Sequence, residues 1–568
     1  MQKVLKAAYD DFAANAGQNI KHARALEVKA LLDPTALVAR ELLDRLWDDP
    51  VLPSDVAALI RNELAVLAVL EGRDGLSLRV DILGALVKKR MDVPTLTRVL
   101  WPNPIQLKVA VAVHGARHLQ DLDQLLPGSQ QWALTGSGAS LGAHSNSALK
   151  GLVAAARAVV GPSVLVQIPV TSSDVRSAIN VARRELSETL DQYVAGHRLL
   201  SLTLGPVGVA IDRTNQAVGY EERVAGAKEA RPLTGHWSMP LRPALRMAHV
   251  ANQVEAPMAS TALVWSALET VGAKDMVSVS KAIALHTTRQ QIIGLYKTVA
   301  NSAIARLAHA RWRIDQAAAV LKRSERALVR TLGAVSKNAQ RAAIHHEVTV
   351  AERKEKLAEA HRHESSLRHA LLPAIETVQR NLLGGGDPDH PLAMSSWRLD
   401  INGFLDTVLP PRNAVSLNIA DSRVAVEVLV HHAGGFAQEQ WGIWRFRLAD
   451  PIILADWLDH QQEIFHGLLK WMYANRNMAF HDGKFSAPAD ALTAQAARGV
   501  ADIVLEFLGN WYKTEHAAGQ SDSDPAVVIK TIAQRKDYLI NELHDADSCH
   551  SLDVAEISSP NGDCWNRS

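Results

Sequence analysis

Apolar positions recur with a helical period over the first quarter of the chain. LDPTALVARELLDRLWDD places Leu37, Leu42, Leu43 and Leu46 on one stripe, with Pro34 near the helix start. SDVAALIRNELAVLAVLEG follows, with Ser54 as a natural N-cap and Gly72 as a stop. Shorter helices are expected up to residue 160, separated by Pro102, Pro104 and a Gly/Ser-rich stretch at 135–147. The pattern then changes. SVLVQIPV (163–170) is short and β-branched, a helix is predicted from Ser173 to about Ala195, and LLSLTLGPVGVAI reads as one or two strands.

Helical texture returns at 244–300, in blocks divided by Pro257 and Gly272. Beyond it, Leu307, Ile314, Leu321, Leu328 and Val335 recur every seven residues, the pattern of a coiled-coil seam. Small residues (Ala310, Ala317, Ser324, Thr331) hold the companion seam positions. Leu357, Leu367, Leu371, Ile375 and Val378 supply a second pattern, and Gly384-Gly-Gly386 closes it. Residues 300–383 therefore predict a long helical hairpin standing out from the body, with a dimer seam as the alternative. Between 397 and 449, AVSLNI, VAVEVLV and WGIWRFRL alternate apolar and polar residues and predict strands. Asp450-Pro451 opens a helix running to about Ala474, and a second helix is expected at about 487–513. The end of the chain, from 516, is polar and reads as loosely ordered, with room for one helix near 526–543.

The resulting fold class is mainly α and multidomain. A helical N-terminal region spans 1–160 and a small α+β module spans 161–235. A helical domain at 236–515 carries the 300–383 hairpin and the 397–449 β-rich insert, and a polar tail fills 516–568. The length of 568 residues exceeds one hydrophobic core.

Composition changes this picture little. Apolar residues are 47% and charged residues 21%, as in ordinary globular proteins. A net charge of +1 advertises neither nucleic acid nor membrane, although a balanced total can hide a basic face. No apolar run reaches the roughly 18 residues of a spanning helix, so no membrane partner is expected. MQKVLKAAYDDF carries acids where a signal peptide needs an apolar run, which makes the expected location cytoplasmic. The two cysteines, Cys549 and Cys564, leave no basis for a disulfide framework. The histidine pairs (His345–His346, His361/His363, His431–His432) stand in no metal-binding pattern, so no metal and no cofactor is expected.

Three features carry candidate chemistry. Gly136-Ser-Gly138-Ala-Ser-Leu-Gly142 has no strand before it and no Gly-Lys-Ser/Thr after it, which favours a flexible loop over a phosphate site. The first hairpin arm is basic. Arg311, Arg313, Lys322, Arg323, Arg326 and Arg330 meet only Asp315 and Glu325 nearby, which fits a solvated face or an RNA-backbone surface. The third feature is KWMYANRNMAFHDGKF, residues 470–485. Arg476-Asn477-Met-Ala-Phe-His481 is an R-x4-H, a spacing also met at Arg231…His236 and Arg341…His346. Only the third match follows an aromatic-rich helix, has Asn after the Arg and ends in Asp-Gly.

RNMAFHDGK resembles the RN-x3-H motif of the HEPN superfamily. Ser260-Thr-Ala-Leu-Val-Trp265-Ser-Ala-Leu-Glu269 resembles the W-x-x-L-E helix of some larger members. The resemblance covers roughly 240–515 and does not reach 1–235. It implies a helical bundle with the motif between two antiparallel helices. It also implies metal-independent cleavage of RNA at a composite site of a homodimer. The 2′-hydroxyl attacks the neighbouring phosphate and leaves a 2′,3′-cyclic end. A histidine can take the hydroxyl proton near neutral pH, a role open to His481. Arg476 stays protonated and can hold the phosphate, Asn477 would orient the group, and Trp265 and Glu269 are possible supports. A toxin or anti-phage role, triggered by a ligand or protein at the N-terminal half, is the implied setting. The alternatives are a non-catalytic HEPN-fold module that binds RNA or protein, or a coiled-coil scaffold.

Overall fold

A computed structural model describes residues 42, 54–70, 72–87, 92–134, 147–196, 201–212, 217–222, 239–254, 256–332, 337–384, 399–411, 416–482, 488–560 and 562–565. The stripe predicted around Leu37–Leu46 and the Gly-rich loop at 136–142 lie outside these residues, Leu42 excepted. The protein is mainly α, with sixteen α-helices and one five-stranded antiparallel sheet among the described residues. No described helix is long and apolar enough to cross a membrane. The chain divides into two compact units. The first holds 1–231, 247–265 and 474–498. The second holds 232–246, 266–473 and 499–568, so the stretch expected as one domain at 236–515 is shared between them.

The first unit opens with α1 (Ser54–Leu70), α2 (Gly75–Val87) and α3 (Val93–Leu100). Ile60, Leu64, Ala68, Leu78 and Leu100 form their common core. β1 (Ile105–His114) follows at once, which corrects the all-helical reading of 1–160. Leu107, Val109, Val111 and Val113 alternate with Lys108, Ala110 and Ala112, and the alanines blur a period of two. A short α4 (Leu122–Leu125) follows β1, and the sheet is completed by β2 (Gln130–Ala133), β3 (Ser163–Ser172), β4 (Thr203–Ile211) and β5 (Ala217–Glu222), in the order β2-β3-β1-β4-β5. Val109 pairs with Ile168 on one side and Ala210 on the other, so β1 is central.

A central strand covered on both faces must be apolar throughout. On one face Val109, Val111, Val164 and Val166 meet Ile179, Ala182 and Leu186 of α6 (Val175–Gly196). On the other, Ala110, Ala112, Leu165 and Val209 meet Leu152 and Ala156 of α5 (Ser147–Ala158). A side chain at Gly208 would put its Cβ 2.7 Å from Ile179 Cγ2, so glycine is what lets α6 lie this close. Arg73, 3% exposed, bridges Asp81 at 2.7 Å and Asp174 at 3.3 Å, and Asp174 also accepts from the Asp74 backbone.

After β5 in the chain come α7 (Arg242–Gln253) and α8 (Pro257–Thr270). In the second unit α9 (Met276–Leu332) and α10 (Lys337–Leu382) pack together as a hairpin. The first arm starts at 276, not 300, because Val279 to Ala303 are buried in the unit and the heptad emerges only beyond them. In the outer part of α9 Leu307, Ile314, Leu321 and Leu328 are half-buried and the residues between the two seam rows mostly exposed. The return arm buries Leu367, Leu371, Ile375 and Val378 and half-buries Leu357. The seam is thus closed within one chain; Val335 lies outside the described residues.

The strands predicted at 397–449 are helices: α11 (Ile401–Val408), α12 (Leu417–His432) and α13 (Gly435–Ala449). Burial gives the reason. Ser422, Ala425, Val426, Leu429 and Val430 follow the 3–4 spacing of one helix face, as do Ala437, Trp441, Trp444 and Leu448. A buried serine and two tryptophans among polar residues imitate strand alternation. Asp400 caps α11 by accepting from the Gly403 N–H at 2.9 Å. Asp400→Ala is expected to cost about 1 kcal/mol, read as faster amide exchange across 401–408.

Three further helices complete the chain: α14 (Pro451–Asp482), α15 (Pro488–Ala517) and α16 (Pro525–Asp545). The tail expected to be loose is packed. Val528, Ile532, Leu539 and Leu543 of α16 are buried, as are Cys549, Val554, Ile557 and Cys564 beyond it. Arg535 stacks its guanidinium 5.2 Å over the Trp511 ring and donates to the carbonyls of Ile557 and Ser559 at 3.2 and 2.6 Å. A guanidinium with several fixed donors can hold a segment that has little apolar surface of its own.

Candidate functional site

The motif lies at the C-terminal end of α14. Pro451 at the helix start and the Asp450 carboxylate, which accepts from the Ile452 N–H at 2.8 Å, set where the helix begins. Its buried stripe runs through Leu454, Leu458, Leu469 and Met472, and the next turn of that stripe is Asn475. The helix does not stop near Ala474 as expected; it continues through the whole R-N-x3-H segment to Asp482. The aromatics before the motif are outward-facing, Trp471 at 43% and Tyr473 at 41% exposure.

Arg476 and Asn477 are half-buried and brought together, the Arg476 Nη1 donating to Asn477 Oδ1 at 3.1 Å. The side chain of His481 lies outside the described residues; its backbone belongs to the last turn of α14. On a continuous helix, residues five apart stand about 140° apart around the axis and about 7.5 Å along it. The helix therefore does not by itself turn Arg476 and His481 toward one point.

Asn475 is the residue that the sequence pattern missed. It is 0% exposed, and neither its amide oxygen nor its amide nitrogen has a hydrogen-bond partner among the described residues. Leaving such a group buried without a partner costs about 1–3 kcal/mol. Its neighbour in sequence is Arg476, so the penalty falls beside the motif.

The upstream match falls on α8. Trp265, 1% exposed, is a core residue of that helix, and Glu269 is half-buried. The link between α8 and the helix after the motif is Arg498, which no pattern had flagged. From α15 its Nε donates to Ser260 Oγ at 3.0 Å, and its Nη2 to the carbonyls of Ala251 and Val254 at 3.1 and 3.3 Å. Ser260, wholly buried, donates in turn to Ala251 at 2.9 Å. One guanidinium thus satisfies the orphan carbonyls at the end of α7 while holding α8 and α15 together. Arg498→Ala should lower the opening free energy of 247–265 by about 2 kcal/mol, measured by hydrogen exchange. Arg498→Lys should recover only part, because an ammonium cannot span three separate acceptors.

The six cations proposed as an RNA-binding set (Arg311, Arg313, Lys322, Arg323, Arg326, Arg330) are all exposed on the outer part of α9. A second polar group, unforeseen, is buried in the second unit. His286 of α9, 0% exposed, has its Nδ1 2.8 Å from Ser558 Oγ and its ring 5.6 Å from that of Phe507. Gln290 donates to Glu506 at 2.8 Å alongside. Burial, with the Arg289 charge second, pushes the His286 imidazole down to about 4. Burial raises Glu506 above the ordinary carboxylate range, against the hydrogen bond from Gln290 and the charge of Arg289. Among the described residues no group of three or more His, Cys, Asp or Glu is placed to hold a metal ion.

Comparison with protein-family models, with curated proteins and with solved structures finds no match to this chain.

Proposed function

We propose that this protein is an RNA-cutting enzyme of the HEPN type, with Arg476, Asn477 and His481 as its reactive residues. The observation that carries the reading is the Arg476–Asn477 pair, held at 3.1 Å on the end of α14 next to Asn475, buried and without a partner among the described residues. A polar group retained at a stability cost beside a phosphate-binding arginine is the pattern of a functional site. The tie from Arg498 to Ser260 adds support, since it joins the helix after the motif to the helix that resembles W-x-x-L-E.

The chemistry follows from residue types. The Arg476 guanidinium holds the scissile phosphate and stabilises charge building on its oxygens. Asn477 fixes the guanidinium plane through the bond it accepts. His481 takes the proton of the 2′-hydroxyl as the oxygen attacks phosphorus, and the 5′-oxygen of the next nucleotide leaves. Because positions five apart on one helix do not face a common point, the reading calls for two copies of the motif facing across a two-fold axis. Each scissile phosphate is then gripped by the arginine of one chain, while the histidine of the other takes the proton of the attacking 2′-hydroxyl.

The test is cleavage of RNA by the purified full chain in EDTA, with analysis of the ends. Cyclic 2′,3′-phosphate ends, lost in both Arg476→Ala and His481→Ala, are expected. Cleavage unchanged in both variants would sink the assignment. Mixing the two inactive variants should restore up to a quarter to a half of the activity if the site is composite, depending on how subunits exchange.

A further inference from the structure

The heptad sorts the exposed residues of α9 onto two flanks of the hairpin. Positions just before the seam residues carry Arg306, His309, Arg313, Arg323 and Arg330, and no acid. Positions just after them carry Arg311 and Lys322 together with Asp315 and Glu325, the only two acids between Ala303 and Leu332. The basic run is therefore not one surface. One flank is cationic, and the other is nearly neutral.

Trp312 and Arg326 fall at the outermost position, between the two flanks, and Trp312 joins the cationic one by lining a groove with Arg313 and Gln316. Trp312 is 54% exposed, with the His309 ring stacked 5.5 Å away at 30°. A groove of about 330 Å³ runs beside it, lined by Trp312, Arg313 and Gln316 of α9 and by Lys356 and Glu359 of α10. Neither Arg313 nor Lys356 makes an ion pair among the described residues, and both side chains are exposed. A large ring left half in water beside two unpaired cations, with Glu359 as the one acid lining the groove, offers two contacts at once: a π-face and phosphate-binding donors.

We propose that this flank binds single-stranded RNA, with Trp312 stacking on an unpaired base and Arg313, Arg323, Arg330 and Lys356 holding phosphates. Single strands are specified because a base inside a duplex has no free face for the ring. Arg313 and Arg330 lie about 25 Å apart along the helix, enough for several nucleotides. Glu359, on the far wall of the groove, repels phosphate and sets the backbone along α9. The choice of RNA rests on the ribonuclease reading; the surface itself is independent of Arg476 and His481.

The experiment is fluorescence anisotropy of a labelled 12-nucleotide uridine strand with full-length His481→Ala protein, across 50–200 mM salt. Trp312→Ala should weaken binding about ten- to a hundredfold with an unchanged salt slope, the mark of a lost stacking contact. Arg313→Ala/Arg323→Ala/Arg330→Ala should flatten the slope of log K against log salt by about 2, since each phosphate on a single strand contributes about 0.7. Arg311→Ala/Lys322→Ala should change Kd less than twofold. Circular dichroism checks that each variant keeps its helix. The proposal is overturned if Trp312→Ala binds as wild type, if the two flanks respond alike, or if duplex RNA or an acidic peptide binds as tightly as the single strand. Binding with no cleavage by wild type would sink the nuclease reading alone. Cleavage with no binding at this flank would sink the present proposal alone.

Discussion

Substituting His481 by alanine is expected to slow RNA cleavage about a hundred- to ten-thousandfold, the usual worth of a positioned general base. That is the largest effect the sequence and structure together imply, and it separates three roles. Loss of the base should lower kcat and leave KM nearly unchanged, because the phosphate is still held. Arg476→Ala should raise KM as well as lower kcat, since in the proposed reaction the guanidinium binds the phosphate both before and during the attack. Arg476→Lys should rescue KM more than kcat, because an ammonium supplies charge without the paired, planar hydrogen bonds. Asn477→Ala is expected to cost about tenfold, one charge-assisted hydrogen bond, through the Oδ1 that accepts from Arg476. Equal loss of kcat in all three, with no change in KM, would mean that the motif only maintains the helix end.

Asn475 gives that prediction a stability counterpart. Asn475→Leu should stabilise α14, because it removes a buried amide that has no partner and continues the stripe of Leu469 and Met472. A residue kept against stability is the kind that sequence patterning cannot rank, since an asparagine in a polar segment looks ordinary. The stripe became visible only once Met472 and Asn475 were seen at the same depth.

The same limit explains what else was and was not legible. The hairpin was readable because leucine and isoleucine recur every seven residues from Leu307 to Leu328, and the structure closes α9 on α10 along that repeat although α9 begins earlier. β3 and β4 were readable because valine and isoleucine crowd them. β1 was not, because Ala110 and Ala112 among its buried residues, and exposed Lys108, suit a helix equally well. Residues 397–449 failed for the opposite reason: Val424, Val426 and Val428 alternate like a strand, yet Ser422 and Ala425 complete a helical face. Tertiary packing decided between two patterns that the chain carries at once. In the tail, Arg535 and Asp553, which accepts from Asn402 of α11, do through hydrogen bonds what apolar residues do elsewhere, and hydropathy does not register them. At the site, the motif was legible as letters. The continuous helix beneath it and the Arg498 tie were not, since both depend on partners far along the chain.

Acid should open the base of the hairpin. His286 is held neutral in the folded protein, with its pKa down at about 4, against about 6.5 when unfolded. The unfolded chain therefore binds a proton between those values that the folded chain refuses. Stability from this group is complete above pH 6.5 and is lost as pH falls toward 4, about 3 kcal/mol over the window. Glu506 works in the other direction. Its folded pKa is raised, so its protonation favours the fold as pH falls and masks part of the effect. A single wild-type curve would blend the two. The difference between wild type and His286→Gln isolates the imidazole, because the variant keeps Glu506, Gln290 and Ser558 in place. Hydrogen exchange of the 279–290 peptide at pH 7 and pH 4 reads the local opening free energy, which suits a chain of two units better than one global midpoint. Wild type should lose about 3 kcal/mol more than His286→Gln between the two conditions. If both lose the same amount, the imidazole is not the group whose titration opens the hairpin base.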